Sequence, residues 1–169
     1  PEHQIEESVP MAICSKHVLA ACAGGIIGVG SVAAQPTWTG ATNDDWLTGS
    51  NWDTLNPPGM NEFARIPSGS TPDFNGFTSI LALEIAAGAS VEISSNSNMG
   101  LTGFGVASTI NNGLIKLNED NSSFNSIITF PNAHILGGSG VLEMLTANDN
   151  SQLVQSGSGS LTNGPSHTI

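Results

Sequence analysis

Residues 81–169 alternate between short apolar bursts and breaks rich in Gly, Asn and Ser. The bursts are ALEIA, ASVEIS, GLIKLN, SIITF, AHILG, GVLEML, SQLVQ and GSLTN. Each is too short for an ordinary helix. In ASVEIS, Val91 and Ile93 fall on one face and Ser90, Glu92 and Ser94 on the other, the period of a half-buried strand. Ile115 and Leu117 oppose Lys116 in the same way, and Leu142 and Met144 oppose Glu143. The breaks at Asn112-Gly113, Gly137-Gly138 and Asn163-Gly164 suit turns with positive φ. The pattern predicts an all-β fold with closely spaced strands.

Composition narrows the class of partner. Of 169 residues only 10% are charged, with 14 acidic against 3 basic and a formal net charge of −11. Without a Lys/Arg cluster there is nothing to displace counterions from phosphates, which argues against nucleic acid and anionic membrane surfaces. The polar residues are mainly small and uncharged, a composition typical of exported bacterial surface proteins. Residues 1–10, PEHQIEESVP, lack apolar periodicity and read as an unstructured upstream extension. The chain starts at Pro1 and stops inside a strand-like run, so it reads as a fragment of a longer reading frame with Met11 as its start.

Residues 11–34 have the plan of a secretory signal peptide. Lys16 and His17 precede the uncharged run 18–32, and Val32-Ala33-Ala34 supplies small residues for cleavage after Ala34. The run is shorter than the ~20 apolar residues that span a bilayer, so no membrane span is expected in the mature chain. Leu19-Ala20-Ala21-Cys22 has the form of a lipobox, but too little apolar sequence precedes Cys22 and too much follows it. Cys14 and Cys22 then both fall in the removed segment, which excludes disulfides and thiol chemistry from the mature chain.

All three tryptophans, Trp38, Trp46 and Trp52, lie in a turn-rich stretch, PTWTGATNDDWLTGSNWDTLNPPGMNEFARIP (36–67). Three roles are open to them: a hydrophobic cap over the end of a strand stack, a platform for sugar rings, or scattered core packing. The cap is the expected role, since an uncapped stack leaves a sheet edge and an apolar interior exposed. The order Trp38-Thr39-Gly40, Trp46, Asn51-Trp52, Pro57-Pro58-Gly59 and then Glu62, Ala64, Arg65 and Ile66 resembles the N-terminal region of large secreted bacterial proteins of the autotransporter-associated type. Members of that group often carry Asp where Glu62 stands. The resemblance extends over 36–169 and implies a right-handed parallel β-helix with pectin-lyase-like rungs. A Trp-rich cap would occupy 35–80 and the rungs 81–169. An antiparallel β-sandwich is the alternative.

Rungs bring like residues into line about every 20 to 25 positions. The clearest internal pair, GSGVL (138–142) and GSGSL (157–161), has a spacing that suits one rung.

Candidate chemistry is sparse. Asp44 and Asp45, with Asn43 and Asp53, and separately Glu119 and Asp120, with Asn121, offer oxygen ligands of the kind Ca²⁺ takes. Neither cluster has a calcium-loop spacing, and solvated loop carboxylates are the favoured reading. His134 and His167 each lack a second ligand at metal spacing. No carboxylate pair has a definable separation for glycoside hydrolysis. Arg65 and Lys116 are the only cations after residue 34, which argues against a lyase, and Ser156 and Ser158 lack the setting of a nucleophile elbow. No cofactor and no catalytic residue is expected. Two readings of function follow. One is a non-catalytic structural or adhesive surface module. The other is the N-terminal part of a carbohydrate-active β-helix enzyme or a glycan-binding module. Either would face surface polysaccharide or another extracellular ligand.

Overall fold

The computed structural model describes residues 35–103, 108–118, 123–145 and 150–169. The extension 1–10, the signal-peptide segment 11–34 with Ala34, and Glu119 and Asp120 lie outside the described residues.

Strands recur in threes. The first triplet is β1 (Phe63–Ile66), β2 (Asp73–Phe74) and β3 (Phe77–Ile80), and the second is β4 (Ala82–Ile85), β5 (Ser90–Ile93) and β6 (Ser97–Leu101). Next come β7 (Ser108–Asn111), β8 (Leu114–Leu117) and β9 (Ser126–Phe130), then β10 (His134–Gly137), β11 (Val141–Met144) and β12 (Ser151–Gln155). β13 (Leu161–Asn163) follows as the next first-position strand. Each strand pairs with its counterpart in the neighbouring coil, building three sheets ordered β1-β4-β7-β10-β13, β2-β5-β8-β11 and β3-β6-β9-β12. All of these pairings are parallel, so the chain is a β-solenoid and the antiparallel sandwich is excluded. Parallel pairing needs a long crossover, and here the other two strands of the coil supply it.

The two-residue alternation determines which side chains fill the interior. Val91, Ile115 and Leu142 lie in one register, and Ile93, Leu117 and Met144 in the next inward row. Met99, Ile128 and Leu153 do the same in the third sheet. The fully buried aliphatic members of these rows contribute about 1.5–3 kcal/mol each. The intervening Glu92, Lys116 and Glu143 point outward, as the sequence pattern predicts.

The coils are unequal. Phe63 lies over Ala82, whereas Ser97 lies over Ser126, a much longer step along the chain. The GSG pair is therefore not a rung repeat: Leu142 pairs with Ile115 in the second sheet and Leu161 with His134 in the first. The two motifs are different corners of the coil, alike because both press on backbone one layer away. Glycine is needed there for closeness more than for φ. Among the three predicted turn pairs only Gly138, at φ 96°, takes a left-handed conformation. A Cβ at Gly113 would sit 2.7 Å from the Ala86 carbonyl oxygen, and one at Gly164 would sit 2.9 Å from that of Leu136. Asn96 and Asn118 hold left-handed corners instead, at φ 57° and 62°.

Polar side chains enter the interior toward the later coils. Thr109 Oγ1 accepts from the Leu83 N–H at 3.3 Å and lies 3.0 Å from His134 Nε2. Asn111 donates to the Val141 carbonyl at 2.9 Å and lies 3.1 Å from His167 Nε2, whose Nδ1 is 2.8 Å from Asn163 Oδ1. His134 is buried beside Phe130, and its Nδ1 has no hydrogen-bond partner among the described residues. Burial lowers its pKa to about 4, and it also lowers that of His167.

This arrangement predicts an acid limb to the stability curve. A histidine whose pKa is lower in the folded chain leaves the unfolded chain holding more protons between about pH 6.5 and 4. Stability is therefore intact above that window, falls as pH drops through it, and loses nothing further from His134 below it. The contribution reaches up to roughly 3 kcal/mol before solvent screening trims it. Denaturant melts at stepped pH, compared between the parent and His134→Gln, isolate it: the difference between the two curves should change across pH 6.5–4 and stay flat above.

Candidate functional site

The segment preceding β1 closes the first end of the stack. Trp38, Trp46 and Trp52 are 4%, 0% and 1% exposed. They form an edge-to-face chain: Trp38 meets Trp52 at 5.2 Å, Trp52 meets Trp46 at 4.7 Å, and Trp46 meets Phe74 of β2 at 5.9 Å. Such pairs add about 0.5–1.5 kcal/mol beyond the area they bury. The Trp52 indole N–H donates to the Trp46 carbonyl at 2.8 Å. With their faces inside the protein, the rings offer no platform to a sugar.

Backbone pairing seats this layer on the sheets. The Trp38 N–H donates to the Arg65 carbonyl and the Arg65 N–H to that of Pro36, both at 2.9 Å. On the second sheet, Trp46 donates to Asp73 at 2.8 Å and Asp73 to Asp44 at 2.7 Å. The outer edges of β1 and β2 are thus covered. Buried Asn51, at the end of a single 3₁₀ turn (Gly49–Asn51), holds the loop together. Its Oδ1 accepts from the Thr42 and Asn43 N–H groups, and its Nδ2 donates to Asn43 Oδ1 and the Asp45 carbonyl.

The acidic residues singled out in the sequence are spread among separate tasks. Asp45 accepts from the Leu47 N–H at 2.9 Å and the Thr48 hydroxyl at 2.8 Å, and Asp53 accepts from the Thr37 N–H at 2.8 Å. Asp44 is exposed and contributes its carbonyl to the β2 edge. Among the described residues, no three of His, Cys, Asp and Glu gather as a metal site would require. Arg65 and Lys116 each bridge to a Glu one coil away, Arg65 to Glu84 at 3.1 Å and Lys116 to Glu92 at 3.5 Å. Surface pairs of this kind contribute about 0–1 kcal/mol each, but they commit both cations to the outer wall.

A lateral groove on the third sheet lay outside the sequence reading. Two outward rows run across its strands: Phe77, Asn98, Ile127 and Gln152, and beside them Ser79, Gly100, Thr129 and Val154. Ser79, Gly100 and Thr129 of the second row, with Phe77 and Asn98 of the first, line a hollow of about 410 Å³ floored by Gly100, where any Cβ would press on the Ser79 hydroxyl. A continuation of about 300 Å³ runs past Phe77 to Phe124 and Asn125. Phe77 and Phe124 are 73% and 62% exposed. The Thr129 hydroxyl donates to Asn98 Oδ1 at 2.9 Å. An exposed Phe at a strand start was the one signal available. The alignment of Phe77, Asn98 and Ile127 was hidden because the step from Phe77 to Asn98 is shorter than the step from Asn98 to Ile127.

The chain matches no protein-family model, no curated protein and no solved structure. Among the described residues, no helix is long and apolar enough to cross a membrane.

The Trp layer generates a stability prediction. Trp52 touches both other indoles, so Trp52→Ala should cost about 3–5 kcal/mol and leave the β1 and β2 edges poorly covered. Trp38→Ala, which removes a single ring pair, should cost less. Chemical denaturation of the two variants checks this order, with a larger fall in midpoint for Trp52→Ala.

Proposed function

We propose that this chain is a non-catalytic structural or adhesive module of an exported surface protein, of the autotransporter-associated type that its Trp block resembles. The observation that carries the reading is a capped parallel solenoid in which many of the described titratable side chains are committed to holding it together. Asp45 and Asp53 tie the cap, and Arg65 and Lys116 bridge neighbouring coils. Elsewhere the outer surface carries Ser, Thr, Asn and scattered apolar residues among the remaining carboxylates, which suits contact with neutral rather than anionic material. Support for export comes from residues 11–34 alone, with their basic start, uncharged run and small residues before Gln35.

Two measurements test the proposal. Expression of the chain in a Gram-negative host should yield an exported product beginning at Gln35 by N-terminal mass spectrometry. A retained Met11 or a lipidated Cys22 would overturn that part. Incubation of the purified product with plant and algal polysaccharides should release neither reducing ends nor unsaturated products. Turnover that disappears on substituting Asp44 and Asp45, or Glu119 and Asp120, would establish the carbohydrate-active enzyme instead.

A further inference from the structure

We infer that the groove on the third sheet is a binding site for an uncharged glycan chain. The inference rests on the adhesive reading above and gives it a ligand class and a place. Among the described residues, no ionisable side chain lines either part of the groove, in a chain of formal net charge −11. An anionic polymer would meet no countercharge there, and a nucleic acid would find no cation to replace its counterions. A cationic ligand would find no carboxylate among the described lining residues.

What the groove does offer matches a sugar ring, which has apolar C–H faces and a rim of hydroxyls. Phe77 and Phe124 present exposed aromatic surface. Asn98, held through its Oδ1 by the Thr129 hydroxyl, keeps an NH₂ group for which no protein acceptor occurs among the described residues. Fixing the carbonyl end of the amide fixes the donor end too, so little ordering remains to be done on binding. Gly100 keeps the floor low between Ser79 and Thr129. Aromatic surface set among Ser, Thr and Asn side chains in a concavity pairs apolar contact with orienting polar groups, as ligand sites do.

The geometry also favours a glycan over a peptide. β6 is bonded to β3 on one side and β9 on the other, and β9 to β6 and β12. Their backbone groups are spent within the sheet, so an added strand cannot pair in the groove and only side chains can read a ligand. The row Phe77, Asn98, Ile127 steps from coil to coil at roughly 4.8 Å. A linear polymer of like units lying along the solenoid axis can meet these side chains in turn.

Affinity electrophoresis of the whole chain tests this, through gels containing a neutral β-glucan, mannan, xylan or galactan, with polygalacturonate and an apolar peptide as competitors. Retardation by at least one neutral glycan is expected, with no effect of polygalacturonate. Phe77→Ala should weaken it about tenfold, and Asn98→Asp, which removes the amide donor, should weaken it comparably with the melting temperature unchanged. Both positions lie on the surface of the groove, so either variant suffices if the other fails to fold. No retention by any neutral glycan would overturn the inference, as would equal retention of polygalacturonate or displacement by the peptide. Retention insensitive to both substitutions would overturn the groove while leaving an adhesive module standing. Release of reducing ends from a bound glycan would overturn the non-catalytic reading instead.

Discussion

Backbone hydrogen bonding along one axis is the constraint on which the rest of this molecule depends. Each strand finds its partner a full coil away, so no strand is satisfied until the chain has gone round and returned. A buried N–H or C=O without a partner is costly, and the stack therefore has to be continuous and in register. Three features follow. Corners are built from residues that tolerate backbone pressed against backbone, as at Gly113, Gly138 and Gly164. Interior positions carry side chains that can lie over their own kind. The first coil needs something to lie against, and the Trp-containing segment supplies it on two of its three sides.

The sequence made the local rules legible. Alternation in ASVEIS, GLIKLN and GVLEML announced strands and assigned their faces, and the three tryptophans marked a place where aromatic area had to be buried. Coil-to-coil alignment was not legible, because it depends on how much chain each corner absorbs. The repeat that carries β1 onto β4 is much shorter than the one that carries β6 onto β9, so no fixed period survives. That also explains why the GSG pair misled: both copies answer to the same local crowding at unrelated corners. The groove was hidden for the same reason, since Phe77 and Asn98 become neighbours only once the register is known. The stack also begins at Phe63, so β1–β3 fall within the stretch 35–80 that the sequence reading gave to the cap.

The interior is not uniformly apolar. Thr109, Asn111, His134 and His167 replace aliphatic side chains in and beside the first sheet, and nearly all of their polar atoms find partners. A satisfied internal network is close to neutral in stability yet demanding in geometry, because each member fits only one neighbour. Leu136 lies in register with Thr109 on one side and Asn163 on the other, so polar and apolar layers interleave. A coil shifted by one residue would strand several of these groups, which opposes register slips that a purely aliphatic interior would tolerate.

The inter-coil bridges of Arg65 and Lys116 have an effect beyond the small stability they contribute. By occupying both described cations they leave the exterior to the remaining carboxylates, so one copy of the chain presents another with a nearly single-signed surface. For a fold built from strands this is a form of colloidal protection: like-charged exteriors resist the edge-to-edge merging to which open strands are prone. At physiological salt the repulsion decays over about 8 Å. It therefore acts only at near contact, keeping copies from fusing at their edges while leaving a neutral partner free to approach.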